Sequence, residues 1–292
     1  MQGRFLLRPS RELVDLFNGV LIRAAERYPV QVCAFVALSN HTHLLLIPED
    51  GEALSAFMTY YAGNVGKEIG RLHDWREGLF GRRFSHVNVS DEPEEQEARL
   101  RYLLSNGCKE GLVKRPEDWP GPSSTDALLT GRTVRGVWFD RSDEHEARRC
   151  NRQFSKYEYA EVHDLELAPI PAWEQLSSEE RRARVQEMVR EITAETRERI
   201  EKTGRAPLGV KRILRQHPHD KPAETKKSPK PIVHAASRRV RKAMKIQFYR
   251  FRQAYRQASA ALRAGDFEVE FPPGCHRPRL PFFTGEPPPL AS

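Results

Sequence analysis

The chain has 292 residues, with 48 Lys and Arg against 40 Asp and Glu, a net charge of +8 and a pI near 9.4. This length predicts one or two domains with a sizeable core, and the basic balance favours a polyanionic partner. Its four cysteines form no Cys-x-x-Cys pair, which argues against a zinc ribbon or a disulfide framework. No signal peptide is recognisable, and no apolar run approaches the roughly 20 residues of a membrane span. We therefore expect a soluble, cytoplasmic protein with no membrane partner.

A helix and two strands open the chain. Ser10 is a favourable N-cap residue, and apolar residues follow it at helical spacing: Leu13, Leu16, Phe17, Val20, Leu21 and Ala24. Two apolar runs then flank a short polar group, and turn residues follow the second run at Pro48. Each run has the length of a buried strand, so we predict two adjacent strands over residues 33–47.

Two histidines lie beside these apolar runs. His41 and His43 are two residues apart, and successive side chains of a strand point to opposite faces, so both imidazoles project from one face. A single strand histidine is usually a core or surface residue with satisfied polar atoms. Here the adjacent leucines, residues 44–46, would bury two polar rings that then need partners. The pair therefore predicts a metal site.

A second helix is expected over residues 53–72, although Gly63 and Gly66 weaken it. The loop after it combines Trp75 with several glycines and arginines. We predict that this loop contacts DNA phosphates through Arg71, Arg76, Arg82 and Arg83.

A third strand and a third helix complete the first region. Residues 84–89 alternate as a strand does, and Pro93 with the two glutamates behind it begins a helix that runs to about Gly107. The order helix, strand, strand, helix, strand, helix is that of a ferredoxin-like α+β fold. We therefore expect residues 1–130 to form an antiparallel sheet with helices on one face.

The third helix carries Tyr102 and Asn106, which are four residues apart and share one helical face. A helix tyrosine is far more often a packing residue than a catalytic one, so this spacing alone carries little information. A hydroxyl nucleophile beside an amide oxygen that can bind a hard cation would nevertheless complement the histidine pair.

Residues 131–204 read as a charged helical connecting region. Its first part is expected to be a strand at Trp138 with a charged turn up to Cys150, and its second part a long structural helix over residues 177–201. The segment His217-Pro218-His219-Asp220 follows this region. It could be a metal cluster, but a proline between histidines in a basic linker favours a solvated loop.

The positive charge is concentrated near the C-terminus. Residues 205–263 contain 17 Lys and Arg against two Asp and Glu, a net charge of +15, so the rest of the chain is net −7. Within the basic, mostly helical region 205–292, an amphipathic helix over residues 237–263 is expected to pack its apolar stripe on the body. We predict that it holds duplex or hairpin DNA backbone through Arg238, Arg239, Arg241, Lys242 and Lys245. The tail after Pro272 is proline-rich.

Two segments together resemble a known family. Residues 39–46 read Ser-Asn-His-Thr-His-Leu-Leu-Leu, and from Tyr102 the chain reads Tyr-x-x-x-Asn, followed by Gly-Leu-Val and a tryptophan at residue 119. In order and separation they resemble the single-tyrosine HUH transposases, most closely the REP-associated tyrosine transposases, over about residues 1–125. The resemblance implies that His41, His43 and Asn106 hold a divalent metal, Mg²⁺ or Mn²⁺, and that Tyr102 attacks a DNA phosphate. Imidazole ligands alone would also accept zinc.

The chain departs from the family pattern in three places. Thr42 replaces a bulky hydrophobe between the histidines, and its side chain is expected to point to the opposite face. Gly107 and Cys108 follow Asn106 where members have Pro-Val, which would change how the helix ends. The family sheet also begins with a strand ahead of the Arg4 region that has no counterpart here. Either the true start of the protein lies further upstream, or the sheet lacks its first strand, and the second alternative would argue against activity.

The resemblance implies an enzyme that cleaves and rejoins single-stranded DNA near hairpins or palindromic elements through a 5′-phosphotyrosine. It would act as a monomer or homodimer and associate with the nucleoid when bound to DNA. Tyr60 and Tyr61 are the next candidates for the nucleophile. The alternative is a catalytically inactive, domesticated DNA-binding protein of the same fold. An unrelated His-x-His metallohydrolase would require further ligands at strand ends of a larger barrel, which the few strands here do not provide.

Overall fold

A computed structural model describes residues 3–80, 84–150, 152–155, 157–223 and 231–278. Helix α1 (Arg11–Arg27) begins as predicted at Ser10, whose hydroxyl accepts the backbone N–H of Leu13 at 3.1 Å. Strands β1 (Val30–Leu38) and β2 (His41–Pro48) form an antiparallel hairpin. An irregularity in the pairing lies between Val32 and Ala34. The two predicted adjacent strands are therefore confirmed.

Helices cover both faces of this hairpin, so the expectation of helices on one face is wrong. On one face lie α1 and helix α2 (Gly51–Leu72), and on the other lie helix α3 (Pro93–Lys109) and helix α6 (Ser178–Thr203). The reason is that β1 is apolar on both of its faces and is buried at eight of its nine positions. Such a strand has to be packed on both sides.

The strands form three separate two-stranded sheets within the described chain. Besides the β1–β2 hairpin, β3 (Asn88–Val89) pairs in parallel with β6 (Val233–His234), and β4 (Val134–Phe139) pairs antiparallel with β5 (Ala160–Leu165). The fold is α+β, but a ferredoxin-like sheet is not confirmed. The loop at residues 122–124 hydrogen-bonds to the edge of β1 that does not pair with β2. There the Ser124 N–H donates to the Phe35 carbonyl at 2.9 Å.

Two expectations for the strands are corrected. The strand expected over residues 84–89 shrinks to β3, because residues 84–86 are exposed and only the last two residues find a partner strand. The charged turn expected after Trp138 is helix α5 (Arg141–Arg149). The Asp140 carboxylate caps it by accepting the N–H groups of Ser142 and Asp143 at 2.9 and 3.2 Å.

The remaining helices are α4 (Thr125–Thr130), α7 (Val210–Leu214) and α8 (Arg238–Arg263). The long helix α6 begins close to its predicted start, where Ser177 and Glu180 form a reciprocal capping box. In the part of the chain that the structure describes, no helix has the length and apolar character required to cross a membrane.

The backbones of α1 and β4 touch at two glycines. A Cβ atom on Gly19 would lie 2.0 Å from the Val137 carbonyl oxygen, and one on Gly136 would lie 2.2 Å from the Gly19 nitrogen. Neither distance is possible for a real side chain. The β4–β5 sheet can therefore pack directly against the backbone of helix α1, because both contact positions lack a side chain.

Helix α8 departs from the expectation that its apolar stripe packs on the body. Its buried residues, Ala258, Ser259 and Leu262, all lie in its last two turns. Phe251 in the predicted stripe is 41% exposed, and none of the residues before Ala258 is buried. Amphipathic spacing identifies which face of a helix is apolar, but it does not guarantee that another element covers that face.

Candidate active site

The histidine pair lies at the start of β2. The imidazole centroids of His41 and His43 are 5.0 Å apart, with the rings nearly perpendicular at 84°. Both rings lie on the hairpin face that packs against α3, because strand residues alternate between faces. Thr42, between them, lies on the other face beside the buried ring of Tyr61. The alternation expected from the sequence is thus present.

Helix α3 brings Tyr102 and Asn106 to this histidine pair. The ring centroids of Tyr102 and His43 are 5.5 Å apart, with the rings at 83°. Asn106, one turn later, is 1% exposed and its side chain lies next to His41. The structure therefore brings His41, His43, Tyr102 and Asn106 together from a strand and a helix that are about 60 residues apart in sequence.

A neighbouring amide orients the first histidine. The Nδ1–H group of His41 donates to the Oδ1 atom of Asn40 at 2.7 Å. This hydrogen bond fixes the tautomer that leaves Nε2 unprotonated, with its lone pair available to a ligand. Sequence reasoning quoted Asn40 only as part of the motif and did not assign it this role. Its position beside the histidine pair was the available signal.

Both histidines are held in the neutral form at pH 7. Burial lowers the pKa of His43 to about 4, and the nearby charges of His41 and Lys109 lower it further. Burial also lowers the pKa of His41, whereas the charge of Glu110 and the contact with Asn106 partly oppose this effect. Neutral imidazoles have the free lone pairs that metal coordination requires.

Two cations flank the ring of Tyr102. The Nζ atom of Lys109 lies 4.5 Å from the ring centroid, and the guanidinium carbon of Arg99 lies 5.8 Å from it. Arg99 is tied to the Glu95 carboxylate at 2.9 Å, but Lys109 is exposed and forms no ion pair with the described residues. Sequence reasoning missed Lys109. The signal was its spacing of seven residues from Tyr102, which puts the two on one helical face.

The residues of this site fit a divalent cation. Ring centroids 5.0 Å apart are compatible with two imidazole nitrogens that each lie about 2.1 Å from a shared ion. Asn106 is buried with its side chain next to His41, and the oxygen of its amide is the atom that could bind a cation. The Nδ2 atom of Asn106 has no hydrogen-bond partner among the described residues, and as an N–H donor it suits a phosphate oxygen rather than the cation. No group of three His, Cys, Asp or Glu residues suited to a metal occurs among the described residues, so the amide would have to complete this site.

Tyr60 and Tyr61, the next candidates for the nucleophile, have surroundings different from those of Tyr102. Tyr61 is 1% exposed and its ring stacks on Phe57, with centroids 6.2 Å apart. Burial raises the pKa of the Tyr61 phenol far above its usual value. Tyr60 stacks on Trp138 with centroids 6.2 Å apart. Both tyrosines therefore have packing roles in the structure.

The four arginines predicted to contact DNA phosphates differ in their surroundings. Arg71 forms an ion pair at 2.5 Å with the buried carboxylate of Glu68, while Arg76 is exposed. Arg82 and Arg83 lie outside the described residues.

The segment at residues 217–220 is not simply solvated. His217 is exposed, but the ring of His219 packs on Trp75 with centroids 5.2 Å apart. The Nε2 atom of His219 also lies 3.1 Å from the His73 carbonyl oxygen, a hydrogen-bond distance. Through His219, the segment therefore packs against the residues that follow the end of α2.

The basic helix α8 is joined to the start of α3. The carboxylate of Glu92, which precedes α3, accepts the backbone N–H groups of Ala236 at 2.8 Å and Ser237 at 3.0 Å, and Ser237 caps α8. The helix contains nine Lys and Arg and no Asp or Glu. All nine cations are exposed, and none forms an ion pair with any residue that the structure describes. They include Arg238, Arg239, Arg241, Lys242 and Lys245.

Comparisons with known proteins were made for the whole chain. No family model matches it, and no solved structure matches it. A Haemophilus influenzae protein named "Putative REP-associated tyrosine transposase" is 25% identical over 119 residues, which cover 37% of this chain and 67% of the relative. The chain is thus distantly similar to a protein that carries a transposase name.

Proposed function

We propose that this chain is a transposase-like DNA nuclease and strand transferase that uses Tyr102 as its nucleophile. The single observation that carries the proposal is the contact of the Tyr102 ring with the histidine pair, at 5.5 Å between ring centroids. The transposase name of the distant relative supports the same reaction class. The substrate would be single-stranded DNA near a hairpin or palindromic element, and the protein would act in the cytoplasm on nucleoid DNA.

The side chains of His41, His43 and Asn106 would hold a divalent cation, Mg²⁺ or Mn²⁺. When bound, such a cation neutralises charge on a phosphate and helps to orient it. The chain's own contribution is to keep both imidazoles neutral through burial and to fix the tautomer of His41 through Asn40. These two effects keep both imidazoles in the form that binds an ion, whether or not an ion is bound.

The reaction itself would exchange one phosphodiester bond for another. The Tyr102 oxygen forms a bond to phosphorus, the bond from phosphorus to the 3′ oxygen breaks, the phenol loses its proton and the 3′ oxygen gains one. The products are a 5′-phosphotyrosine and a free 3′-hydroxyl. Because the new ester retains the phosphodiester energy, a 3′-hydroxyl can attack it in turn and rejoin the strand. The Lys109 ammonium group, 4.5 Å from the centroid of the Tyr102 ring, would stabilise negative charge near the attacking oxygen in the transition state.

Cation-rich surfaces would bring the DNA to this site. We assign phosphate binding to the exposed cations of α8 and to Arg71 and Arg76 in the loop after α2. Arg71 would contribute less than Arg76, since it already forms an ion pair with Glu68, although it shares that carboxylate with Arg141. The cations of α8 form no ion pair with the residues that the structure describes, so the helix concentrates positive potential along one element.

A covalent adduct assay tests the proposal. The full-length protein is incubated with a labelled hairpin oligonucleotide carrying single-stranded flanks and with Mg²⁺ or Mn²⁺, and is then run on a denaturing gel. We expect a labelled protein band that Tyr102→Phe abolishes while hairpin binding persists. His41→Ala should also remove the band, as should a chelator. Tyr60→Phe is the matched control, because it removes a phenol oxygen away from the site and should leave the band unchanged.

The same experiment addresses the alternative function. A chain that binds the hairpin but forms no adduct under any metal condition would be the inactive DNA-binding protein. An adduct that survives Tyr102→Phe would refute the assignment of the nucleophile. Because Tyr61 is buried, Tyr60 would then be the first residue to test.

The contribution of α8 is tested by substitution rather than by deletion. Removing residues 205–292 would also remove Ile213, which is fully buried, and Asp220, whose carbonyl accepts the Phe5 N–H at 2.9 Å. The double substitution Arg252→Gln and Arg256→Gln should flatten the slope of log affinity against log salt by about 1.4 on single strands, at about 0.7 per phosphate contact. An unchanged slope would mean that these two cations do not touch DNA.

A matched pair of arginines on α6 provides the control for that experiment. Arg190 and Arg197 are also exposed on a long helix, but each forms an ion pair, with Glu187 and Glu201 respectively. Their substitution by glutamine removes the same formal charge. It should leave the salt slope as it is in the unmodified chain.

A further inference from the structure

One aromatic residue lies in the cationic face of α8 rather than in its apolar stripe. At 100° per residue, Tyr249 shares a face with Lys242, Lys245, Arg252 and Arg256, which are seven and four residues before it and three and seven after it. The predicted apolar stripe lies on the other side of the helix. The side chain of Tyr249 is 51% exposed, so packing against the body does not explain its presence.

The surroundings of this ring form a shallow groove along the helix. Its lining consists of Tyr249, Arg252, Gln253, Arg256, Gln257 and Ala260. Two guanidinium groups, two amides and one aromatic ring are thus combined, and the small side chain of Ala260 leaves space at the end. No carboxylate lies on this helix to repel an anion.

We propose that this face of α8 binds single-stranded DNA, with an unpaired base stacked on the ring of Tyr249 and with phosphates on Lys245, Arg252 and Arg256. The positive charge of the helix favours a polyanion, and the exposed ring of Tyr249 favours a single-stranded nucleic acid over a duplex. A duplex hides the faces of its bases, whereas a single strand offers them for stacking on aromatic residues. The proposal rests on the proposed function in taking DNA as the ligand, and it replaces the duplex backbone expected from the sequence.

Binding can be measured apart from catalysis. The full-length Tyr102→Phe chain serves as the parent, and fluorescence anisotropy gives its affinity for a labelled oligonucleotide and for the duplex of that oligonucleotide. Tyr249→Ala and Tyr249→Leu should each weaken single-strand binding at least about fivefold, the smallest loss expected for one stacked base. Duplex binding should stay the same. Tyr249→Trp should retain the single-strand affinity.

Phe251→Ala is the matched control, since Phe251 is an exposed aromatic residue of the same helix on its apolar side. It should change neither affinity. Circular dichroism establishes that each variant keeps its helix content, and Tyr249→Leu retains a good helix former in case the alanine variant does not.

Two results would overturn the proposal: an equal loss of single-strand and duplex binding in the Tyr249 variants, or no loss at all. Either one leaves the adduct assay on Tyr102 unaffected. Conversely, a failed adduct assay leaves the stacking result standing, so the two ideas can fail separately.

Discussion

Burial of His43 makes the stability of the fold sensitive to acid. In the folded chain the pKa of this histidine is about 4, below the ordinary value of 6.5 that the unfolded chain retains. As the pH falls below 6.5, the unfolded chain binds a proton that the folded chain does not, so the stabilisation present above pH 6.5 is progressively lost down to pH 4. Between about pH 7.5 and about pH 5 the loss from this one group should be about 2 kcal/mol.

The assay is urea unfolding followed by tryptophan fluorescence, with a chelator present so that no metal competes for the imidazole. His43→Gln removes the titrating group, so the free energy of unfolding of the variant should fall less steeply with pH than that of the unmodified chain. His217→Gln, at an exposed histidine, is the control and should follow the unmodified chain. If the unmodified chain and His43→Gln lose stability in parallel between the two pH values, burial does not hold His43 neutral and the reasoning is refuted.

Two further predictions concern packing and catalysis. Gly19→Ala should destabilise the fold by about 3 kcal/mol in urea unfolding because its methyl group would collide with the backbone of β4, whereas Gly63→Ala, in open space on α2, should stabilise it by about 0.5 kcal/mol. Lys109→Met should slow formation of the Tyr102 adduct about fivefold, since one charge 4.5 Å from the ring is worth about 1 kcal/mol in water. Lys114→Met, at an exposed lysine past the end of α3, should leave that rate unchanged.

Local patterns were sufficient to predict the parts of the site. Period-two alternation gave the common face of His41 and His43, and the spacing of four gave the common face of Tyr102 and Asn106. Only the family resemblance suggested that the two faces meet, because no local pattern encodes which helix packs on which strand. The charged neighbours of the ring, such as Lys109, follow from the same helix spacing once the face is known.

The sheets were harder to predict because pairing is not local. Strand β3 pairs with β6, more than 140 residues away, and two residues are too few to give a periodic signal. The region after β4 looked like a turn because it is almost entirely charged. Its helical state depends on the cap at Asp140 and on the ion pair of Arg141 with the buried carboxylate of Glu68 at 2.5 Å.

The hydrogen bonds of Glu92 limit the distance between Tyr102 and Tyr249. They join the start of α3 to the start of α8, so the two helices begin close to one another. Tyr102 lies ten residues beyond Glu92, and Tyr249 lies twelve residues beyond Ser237. At a rise of about 1.5 Å per residue the two helical segments span about 15 and about 18 Å, and the link through the Glu92 side chain adds up to about 9 Å, so the backbones of the two tyrosines are at most about 42 Å apart. With about 3.4 Å for each stacked nucleotide, a stacked strand that runs straight between the two residues would be cut at most about twelve nucleotides from the base on Tyr249.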